Sequence, residues 1–183
     1  MPDEVPSAPS APSYGDGMRP VLDVLRALHD ARVRAVVVGG VAVVLHGHLR
    51  LTADLDLVLD LSSDNVLSAL RVLQQQGLRP RLPVAAEQFA DPVIRERWQR
   101  ERHLEVFSLH DPADALREVD LLVEAPVAFA ELWDASRNVV VDDVPIRVAS
   151  LEHLIAMKRA AGRPQDIADV VALEALREDT GER

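Results

Sequence analysis

Residues 52–60, TADLDLVLD, constrain the fold of this chain more than any other stretch. Side chains alternate across the two faces of a β-strand, so the leucines of this segment share one face and the aspartates share the other. The leucine face must be buried in a core. Asp54 and Asp56 need an open environment or a bound cation, because burying an unpaired carboxylate is costly. The segment therefore predicts a strand whose front end opens onto a polar site.

The stretch before this strand predicts a phosphate-binding turn. Residues 33–40, VRAVVVGG, are typical of a buried strand that ends at two glycines, and residues 41–48, VAVVLHGH, indicate a short helix. Backbone amides at a glycine turn that leads into a helix can receive phosphate oxygens, because they are unpaired and the helix N-terminus is electropositive. Gly39 and Gly40 are therefore candidate phosphate ligands, although a Gly-Gly pair alone is more often a simple tight turn.

The two aspartates have the spacing of a metal-binding pair. Their Cα atoms lie about 6.5–7 Å apart on one face of a strand. Mg²⁺ commonly takes one or two carboxylates together with substrate phosphates. An Asp-x-Asp pair alone is usually the solvated end of an edge strand, but its position after a glycine turn favours a nucleoside triphosphate site.

A two-metal site needs a third carboxylate, and residues 118–124, EVDLLVE, offer one. Asp120 is flanked by apolar residues, as Asp54 and Asp56 are. If this later strand lies beside the first, Asp120 completes a site in which two metal ions activate a hydroxyl and stabilise the leaving pyrophosphate. Glu118 and Glu124 lie on the same face of the strand and remain alternatives.

The remaining segments interleave helices and strands without a regular βαβ rhythm. Helix signals mark residues 19–31, 62–77, 84–102, 126–136, 151–161 and 164–177. Further strands are predicted at residues 104–109 and 117–124, and a hairpin that turns at Asp142-Asp143 is predicted at residues 138–149. This pattern favours an α+β fold with a mixed sheet flanked by helices over a parallel doubly wound sheet.

Length and composition limit the domain organisation. The chain of 183 residues fits one domain. Residues 1–17 are acidic and rich in Pro, Ser and Ala, which predicts a disordered tail. Residues 18–178 then form the domain, with a core at 33–149 and C-terminal helices at 150–178. We expect a cytoplasmic protein, because the sequence has neither an apolar membrane-spanning run nor a signal peptide.

Several classes of site are disfavoured by composition. The chain has no cysteine, which excludes disulfides and thiolate chemistry. The net charge of −10 and the aromatic content of 3% argue against unaided nucleic-acid binding. Four arginines at 95, 97, 100 and 102 form a candidate basic patch, but the acids between them are more typical of a solvated helix face.

Taken together, these residues resemble the nucleotidyltransferase superfamily with the polymerase-beta-like fold. Its signature is an apolar residue before Gly-Gly, a short spacer, an apolar-bracketed Asp-x-Asp and a carboxylate on a later strand. The closer resemblance, over about residues 20–175, is to short bacterial proteins related to AbiEii-type abortive-infection toxins. It rests on four motifs: GGVA at 39–42, HG at 46–47, RLTADLD at 50–56 and SLEHLIAMKRAAGRPQDIADVVAL at 150–173.

The resemblance implies roles for the acids and the glycines. Gly39 and Gly40 would hold a triphosphate through their amides. Asp54 and Asp56 would bind Mg²⁺. Asp120 would bind the catalytic metal ion and help to deprotonate an acceptor hydroxyl.

The resemblance also implies roles for residues outside the acids. Lys158 would reach the phosphates as a mobile point charge, unless it is an ordinary surface lysine. Arg50 and Thr52 would either contact phosphate or brace the strand. Asp166 would belong to the nucleotide site or hold Lys158 or Arg163 by ion pairing.

The function that follows is transfer of a nucleoside monophosphate from an NTP to a hydroxyl acceptor, with two Mg²⁺ ions. The acceptor is RNA, a protein side chain or a small molecule, and the resemblance adds a toxin or phage-defence role with an antitoxin protein as partner. The alternative is a catalytically inactive module of the same fold that binds nucleotide or a partner. That alternative would gain support if Asp120 lay far from Asp54 and Asp56.

Overall fold

The computed structural model describes residues 18–52 and 54–180, so the predicted tail at 1–17 lies outside the described residues. Within that part, the chain forms seven α-helices: α1 (Arg19–Asp30), α2 (Gly39–Leu45), α3 (Ser63–Gln75), α4 (Pro92–Arg102), α5 (Phe129–Ala135), α6 (Leu151–Ala161) and α7 (Pro164–Thr180). A 3₁₀ helix, Ala86–Ala90, precedes α4. Across the same residues, no helix is both long enough and apolar enough to span a membrane.

The described strands form one mixed sheet: β1 (Ala35–Val37), β2 (Asp54–Leu59), β3 (Arg79–Pro80), β4 (Val106–Asp111), β5 (Asp114–Leu122), β6 (Arg137–Val141) and β7 (Val144–Val148). Their order across the sheet is β3-β4-β5-β2-β1-β7-β6. The pairs β2–β5 and β1–β7 are parallel, and the other neighbours are antiparallel. The predicted α+β class with a mixed sheet is confirmed. The two-residue β3 was not predicted, since it is too short to show alternation.

Local signals in the sequence set several of these boundaries. Asp142 and Asp143 both have positive φ, +46° and +64°, as the tight turn between β6 and β7 requires. The Ser150 hydroxyl accepts a hydrogen bond from the His153 amide at 3.2 Å and caps α6. Gly162 ends that helix in the left-handed conformation, with φ +64°.

The two faces of β2 differ in the way the alternation predicts. One face enters the main core beneath α1 and α3, through Leu55, Leu57 and Leu59. On the other face, Val58 joins a smaller apolar cluster with Leu132 of α5. Asp54 is exposed and Asp56 is half-buried at the front end of that second face. The strand is therefore buried along its length and open only where it begins.

The arginines of α4 act in packing and on the helix surface. Arg95 is buried and donates to the Phe89 carbonyl at 2.7 Å. Arg100 lies 3.7 Å from Glu96, one turn earlier on the same exposed face. These contacts favour the solvated-face interpretation over a nucleic-acid patch.

Candidate active site

The parallel pairing of β2 with β5 decides which acids lie together. Its register places Asp56 beside Asp120 and Asp54 beside Glu118. The two strands are separated by more than fifty residues in the chain, and the sheet brings their acidic faces into one row. The two-metal site predicted from the sequence requires this arrangement. The inactive-module alternative would have gained support from the opposite result, with Asp120 far from Asp54 and Asp56.

The two rival acids are engaged elsewhere. Glu118 accepts hydrogen bonds from Arg81 at 2.5 and 2.6 Å, and this contact lowers the pKa of its carboxyl. Glu124 is exposed and accepts a hydrogen bond from the Gln99 amide at 2.8 Å. Asp120 differs from both, because its Oδ1 is buried and has no hydrogen-bond partner among the described residues. Asp120 is thus the acid best placed to join Asp56.

The electrostatics of the pair favour a bound cation. Burial raises the pKa of the Asp56 carboxyl to about 6, and the negative charge of Asp120 adds to the shift. The Gly40 amide and the charge of Lys158 oppose this rise. Burial also raises the pKa of Asp120, against a stabilising hydrogen bond from the Ser108 hydroxyl. Two neighbouring carboxyls whose charged forms are both disfavoured are a site that a divalent ion would neutralise.

The glycine turn packs directly on these acids. Gly39 has φ +63°, and a Cβ on it would lie 1.9 Å from Asp56 Oδ2. A Cβ on Gly40 would lie 2.4 Å from Thr52 Oγ1 and 2.6 Å from Arg50 Nη2. Both positions therefore exclude a side chain. The Gly40 amide hydrogen-bonds the Asp56 carboxylate, so in this structure the turn braces the acid.

Lys158 is not a surface lysine. It is 9% exposed, and its Nζ donates to Asp166 Oδ1 at 2.8 Å. The other oxygen of Asp166 accepts a hydrogen bond from the backbone amide of Arg163 at 3.3 Å. Asp166 therefore holds both Lys158 and the start of α7, which agrees with the ion-pairing role that the sequence left open for it.

A buried carboxylate on α7, Asp169, contacts both Arg50 and Lys158, although it was not predicted from the sequence as a site residue. Asp169 is 0% exposed; its Oδ1 lies 3.0 Å from Arg50 Nε and its Oδ2 lies 3.0 Å from Lys158 Nζ. The spacing could have indicated it: Asp169 follows Asp166 by three residues, so both acids lie on one face of a helix. Ser108 was also missed, since only the β4–β5 pairing brings it opposite Asp120.

The acid pair, the glycine turn and Lys158 border one cleft of about 990 Å³. The nine residues nominated from the sequence all line it: Gly39, Gly40, Arg50, Thr52, Asp54, Asp56, Asp120, Lys158 and Asp166. The volume is in the range of small-molecule sites in proteins. A set of residues drawn from four separate segments of the chain thus converges on a single concave surface.

The arrangement suits a metal ion without forming a ready-made cage. Across residues 18–52 and 54–180, no group of three or more His, Asp or Glu side chains is arranged to hold a metal ion. The acids that fit one are Asp56 and Asp120, since they are adjacent and Asp120 Oδ1 lacks a partner within the described part of the chain. Asp54 lies at the exposed entrance on the same face of β2.

A known family model matches most of this chain. The family model described as "Nucleotidyltransferase of unknown function (DUF6036)" matches residues 21–179. The chain belongs to this family. It is therefore an enzyme of the nucleotidyltransferase class, and the superfamily resemblance is confirmed. No curated protein matches the sequence. The closer resemblance to AbiEii-type toxins stays a prediction.

Several solved structures share this fold. The lincosamide antibiotic adenylyltransferase LnuA, solved with lincomycin bound, has a TM-score of 0.60 at 14% identity, over 86% of this chain and 96% of that one. The antibiotic-resistance factor ANT(2'')-Ia has a TM-score of 0.54 at 15% identity, over 92% and 94%. An antigenic nucleotidyltransferase-like protein from Paracoccidioides brasiliensis has a TM-score of 0.54 at 16% identity, over 90% and 78%. At these identities the likeness shows the fold.

Proposed function

We propose that this nucleotidyltransferase moves a nucleoside monophosphate from an NTP to a hydroxyl acceptor with Mg²⁺. The observation that carries the proposal is the β2–β5 register, which sets Asp56 beside Asp120 within the cleft. The raised pKa values of both carboxyls support it, because an acid pair of this kind is stabilised when it binds a cation.

The proposed reaction is a displacement at the α-phosphorus of the NTP. The acceptor hydroxyl oxygen attacks the α-phosphorus of the NTP and forms a new P–O bond. The bond from that phosphorus to the oxygen bridging to the β-phosphate breaks, and pyrophosphate leaves with its electron pair. Asp120, which lies beside Asp56 in the cleft, would take the hydroxyl proton.

The metal-binding residues in this proposal are Asp54, Asp56 and Asp120. The proposal of two ions predicted from the sequence is kept: Asp54 and Asp56 would hold Mg²⁺, and Asp120 would hold the catalytic ion. Bound Mg²⁺ would supply positive charge to the phosphates and lower the pKa of the attacking hydroxyl. The buried Oδ1 of Asp120, which has no partner in the described residues, is the oxygen left available for this role.

The triphosphate end of the cleft is formed by cations and by the glycine turn. Arg50 and Lys158 both line the cleft, and each is oriented by a buried acid of α7. Gly39 and Gly40 allow the close approach of the turn to Asp56 and Thr52. We propose that Arg50, Thr52 and Lys158 contact phosphate oxygens and that Asp166 orients Lys158.

The nucleotide-binding half of this proposal is tested by thermal unfolding with each of the four NTPs, with and without Mg²⁺. We expect a Mg²⁺-dependent rise in Tm of at least 3 °C with one NTP in saturating excess, since a ligand at 100 times its Kd adds about 2.7 kcal/mol. Asp56→Asn should lose the shift. The exposed Asp23 of α1 provides a control variant, Asp23→Asn, that should keep it. No shift with any NTP would contradict the proposal and favour an inactive module that binds a partner, or a site that a partner completes.

A toxin role with an antitoxin partner is the finer proposal, and the motif resemblance is what supports it. Expression of the wild type without a partner protein should then arrest growth of a bacterial host, whereas Asp56→Asn at the same protein level should not. Arrest by both proteins, or by neither, would remove the toxin role and leave the transferase proposal standing.

A further inference from the structure

The two ends of the cleft carry opposite charge. The cations that line it, Arg50, Lys158 and Arg163, are at the α6–α7 end. The opposite end is formed by the end of α4 and the neighbouring parts of β4 and β5. It contains two exposed acids, Glu105 and Glu124, and among the described residues that line this end there is no lysine or arginine. A triphosphate is favoured at the first end and disfavoured at the second.

A second pocket of about 430 Å³ adjoins the acidic end. Its walls are mainly apolar and include Val58, Leu61 and Phe129. They also contain one cation, Arg95, whose guanidinium donates to the Phe89 carbonyl, and one further acid, Glu96. It shares four lining residues with the cleft: Gln99, Leu122, Glu124 and Ala125. The hydrogen bond from the Gln99 amide to Glu124 lies in this shared wall. The second pocket therefore adjoins the acidic end of the cleft along this shared wall, and we call it the side chamber.

The strand β5 runs from the acid pair toward this chamber. Asp120 and Leu122 lie on the same face of the strand, with Cα atoms about 6.5–7 Å apart. Leu122 borders both the cleft and the chamber. A molecule whose hydroxyl lies at Asp120 would therefore reach the chamber with a body the size of an amino acid or a sugar.

We propose that the acceptor is a small molecule with three parts: a hydroxyl, a cationic amine and an apolar body. The inference rests on the proposed function and names the substrate class of the same site. The hydroxyl attacks the α-phosphorus beside Asp120, its proton passes to that carboxyl, and pyrophosphate leaves toward the cationic end. The amine pairs with Glu124, and the apolar body occupies the side chamber.

The test uses amino alcohols that differ in one part at a time. The probes are 2-aminoethanol, leucinol and phenylalaninol, with 3-phenylpropan-1-ol as the analogue that lacks the amine. Transfer of label from an α-labelled NTP to each probe is measured with the full chain and Mg²⁺. We expect kcat/KM for phenylalaninol to exceed that for 2-aminoethanol by about tenfold or more, because even one buried methylene is worth about tenfold. Loss of the amine should cost up to about fivefold, as for an exposed ion pair.

Three variants test whether the side chamber and Glu124 cause these preferences. Ala128→Trp would fill the chamber without touching the cleft, since Ala128 lines only the former, and Ala125→Trp would block the shared wall. Both should remove the preference for an apolar body. Glu124→Gln should remove the preference for the amine. Leu116→Trp is the control: it places the same side chain at an exposed position of β5 outside both pockets, and it should change neither preference.

The outcomes separate this inference from the proposed function. If NTP and Mg²⁺ still stabilise the protein but no probe accepts label, or if a short RNA oligonucleotide accepts it faster than every probe, the acceptor inference is wrong and the transferase proposal stands. Unchanged preferences in both chamber variants, with the NTP shift intact, would also overturn it. Absence of both the NTP shift and pyrophosphate release would instead contradict the proposed function.

Discussion

Replacing Asp56 with asparagine is expected to stabilise the metal-free protein while removing transferase activity. The folded protein raises the pKa of this carboxyl from 3.8 to about 6, chiefly through burial. A rise of about two units corresponds to about 3 kcal/mol of destabilisation when the group is charged, at about 1.4 kcal/mol per unit. Asparagine keeps an acceptor for the Gly40 amide, so we expect a gain of about 1–3 kcal/mol at pH 7.

The same pKa fixes the direction of the pH dependence. Because the folded pKa lies above the unfolded value, the folded state binds the proton more tightly, and the destabilisation is present in full above about pH 6. It is relieved as the pH falls toward 3.8. Urea unfolding in EDTA should therefore show a more stable variant than wild type at pH 7, with the difference shrinking below about pH 6 and vanishing at about pH 3.

The matched control for Asp56 lies two residues away on the same face. Asp54 is exposed, so Asp54→Asn should change the free energy of unfolding by less than about 0.5 kcal/mol. Turnover of Asp56→Asn should fall by about 100-fold or more, since loss of an outer-shell metal contact alone costs 10–100-fold. If Asp56→Asn clearly destabilises the metal-free fold, the acid has a structural role and the metal-binding argument fails.

Replacing Asp169 with asparagine should have the opposite effect on stability. Asp169 is fully buried and lies 3.0 Å from both Arg50 and Lys158, so the variant leaves two cations with Asp166 as the remaining acid of the network. Removal of one partner from a buried ion pair costs about 3–5 kcal/mol. Since Arg50 is 18% exposed, we expect about 2–4 kcal/mol, measured by urea unfolding.

The Asp169 prediction also has a kinetic part. Arg50 and Lys158 lose the group that orients them toward the cleft, so KM for the NTP should rise by more than kcat falls. Glu174→Gln is the control on the same helix: Glu174 pairs with Arg159 on the surface, and its loss should cost less than about 1 kcal/mol. An Asp169→Asn enzyme with wild-type stability and KM would show that the buried network neither stabilises the fold nor orients the cations.

A double-mutant cycle distinguishes a direct interaction between Arg50 and Asp169 from a general loss of stability in either variant. Arg50→Gln and Asp169→Asn are combined, and we expect a coupling energy of at least about 1 kcal/mol in unfolding, as for groups in direct contact. The cycle of Glu174→Gln with Asp169→Asn provides the uncoupled reference, and its coupling should stay within about 0.5 kcal/mol.

Local elements were predictable because their causes are local. The alternation of DLDLVL set the two faces of β2, and Asp142-Asp143 set the hairpin of β6 and β7. Ser150 and Gly162 marked the two ends of α6. The short β3 escaped prediction, because it is a strand only through its pairing with β4.

The sequence predicted which residues line the candidate site, but it did not predict which of them contact each other. The spacing of Asp54, Asp56 and the glycines indicated a phosphate and metal site, and all nine nominated residues line one cleft. Their partners were not predictable. Nothing within residues 118–124 separates Asp120 from its two glutamate neighbours, since all three acids share one face of the strand.

The sequence by itself determined the helices, every strand except β3, the two glycines and the acids that a nucleotidyltransferase site requires, because periodicity and turn chemistry act over a few residues. Only the tertiary structure decided which acids meet. The register of β2 against β5 selects Asp120. The packing of α7 buries Asp169 between Arg50 and Lys158. Both depend on contacts between residues far apart in the chain, whose energies arise only when the whole sheet and its helices are assembled.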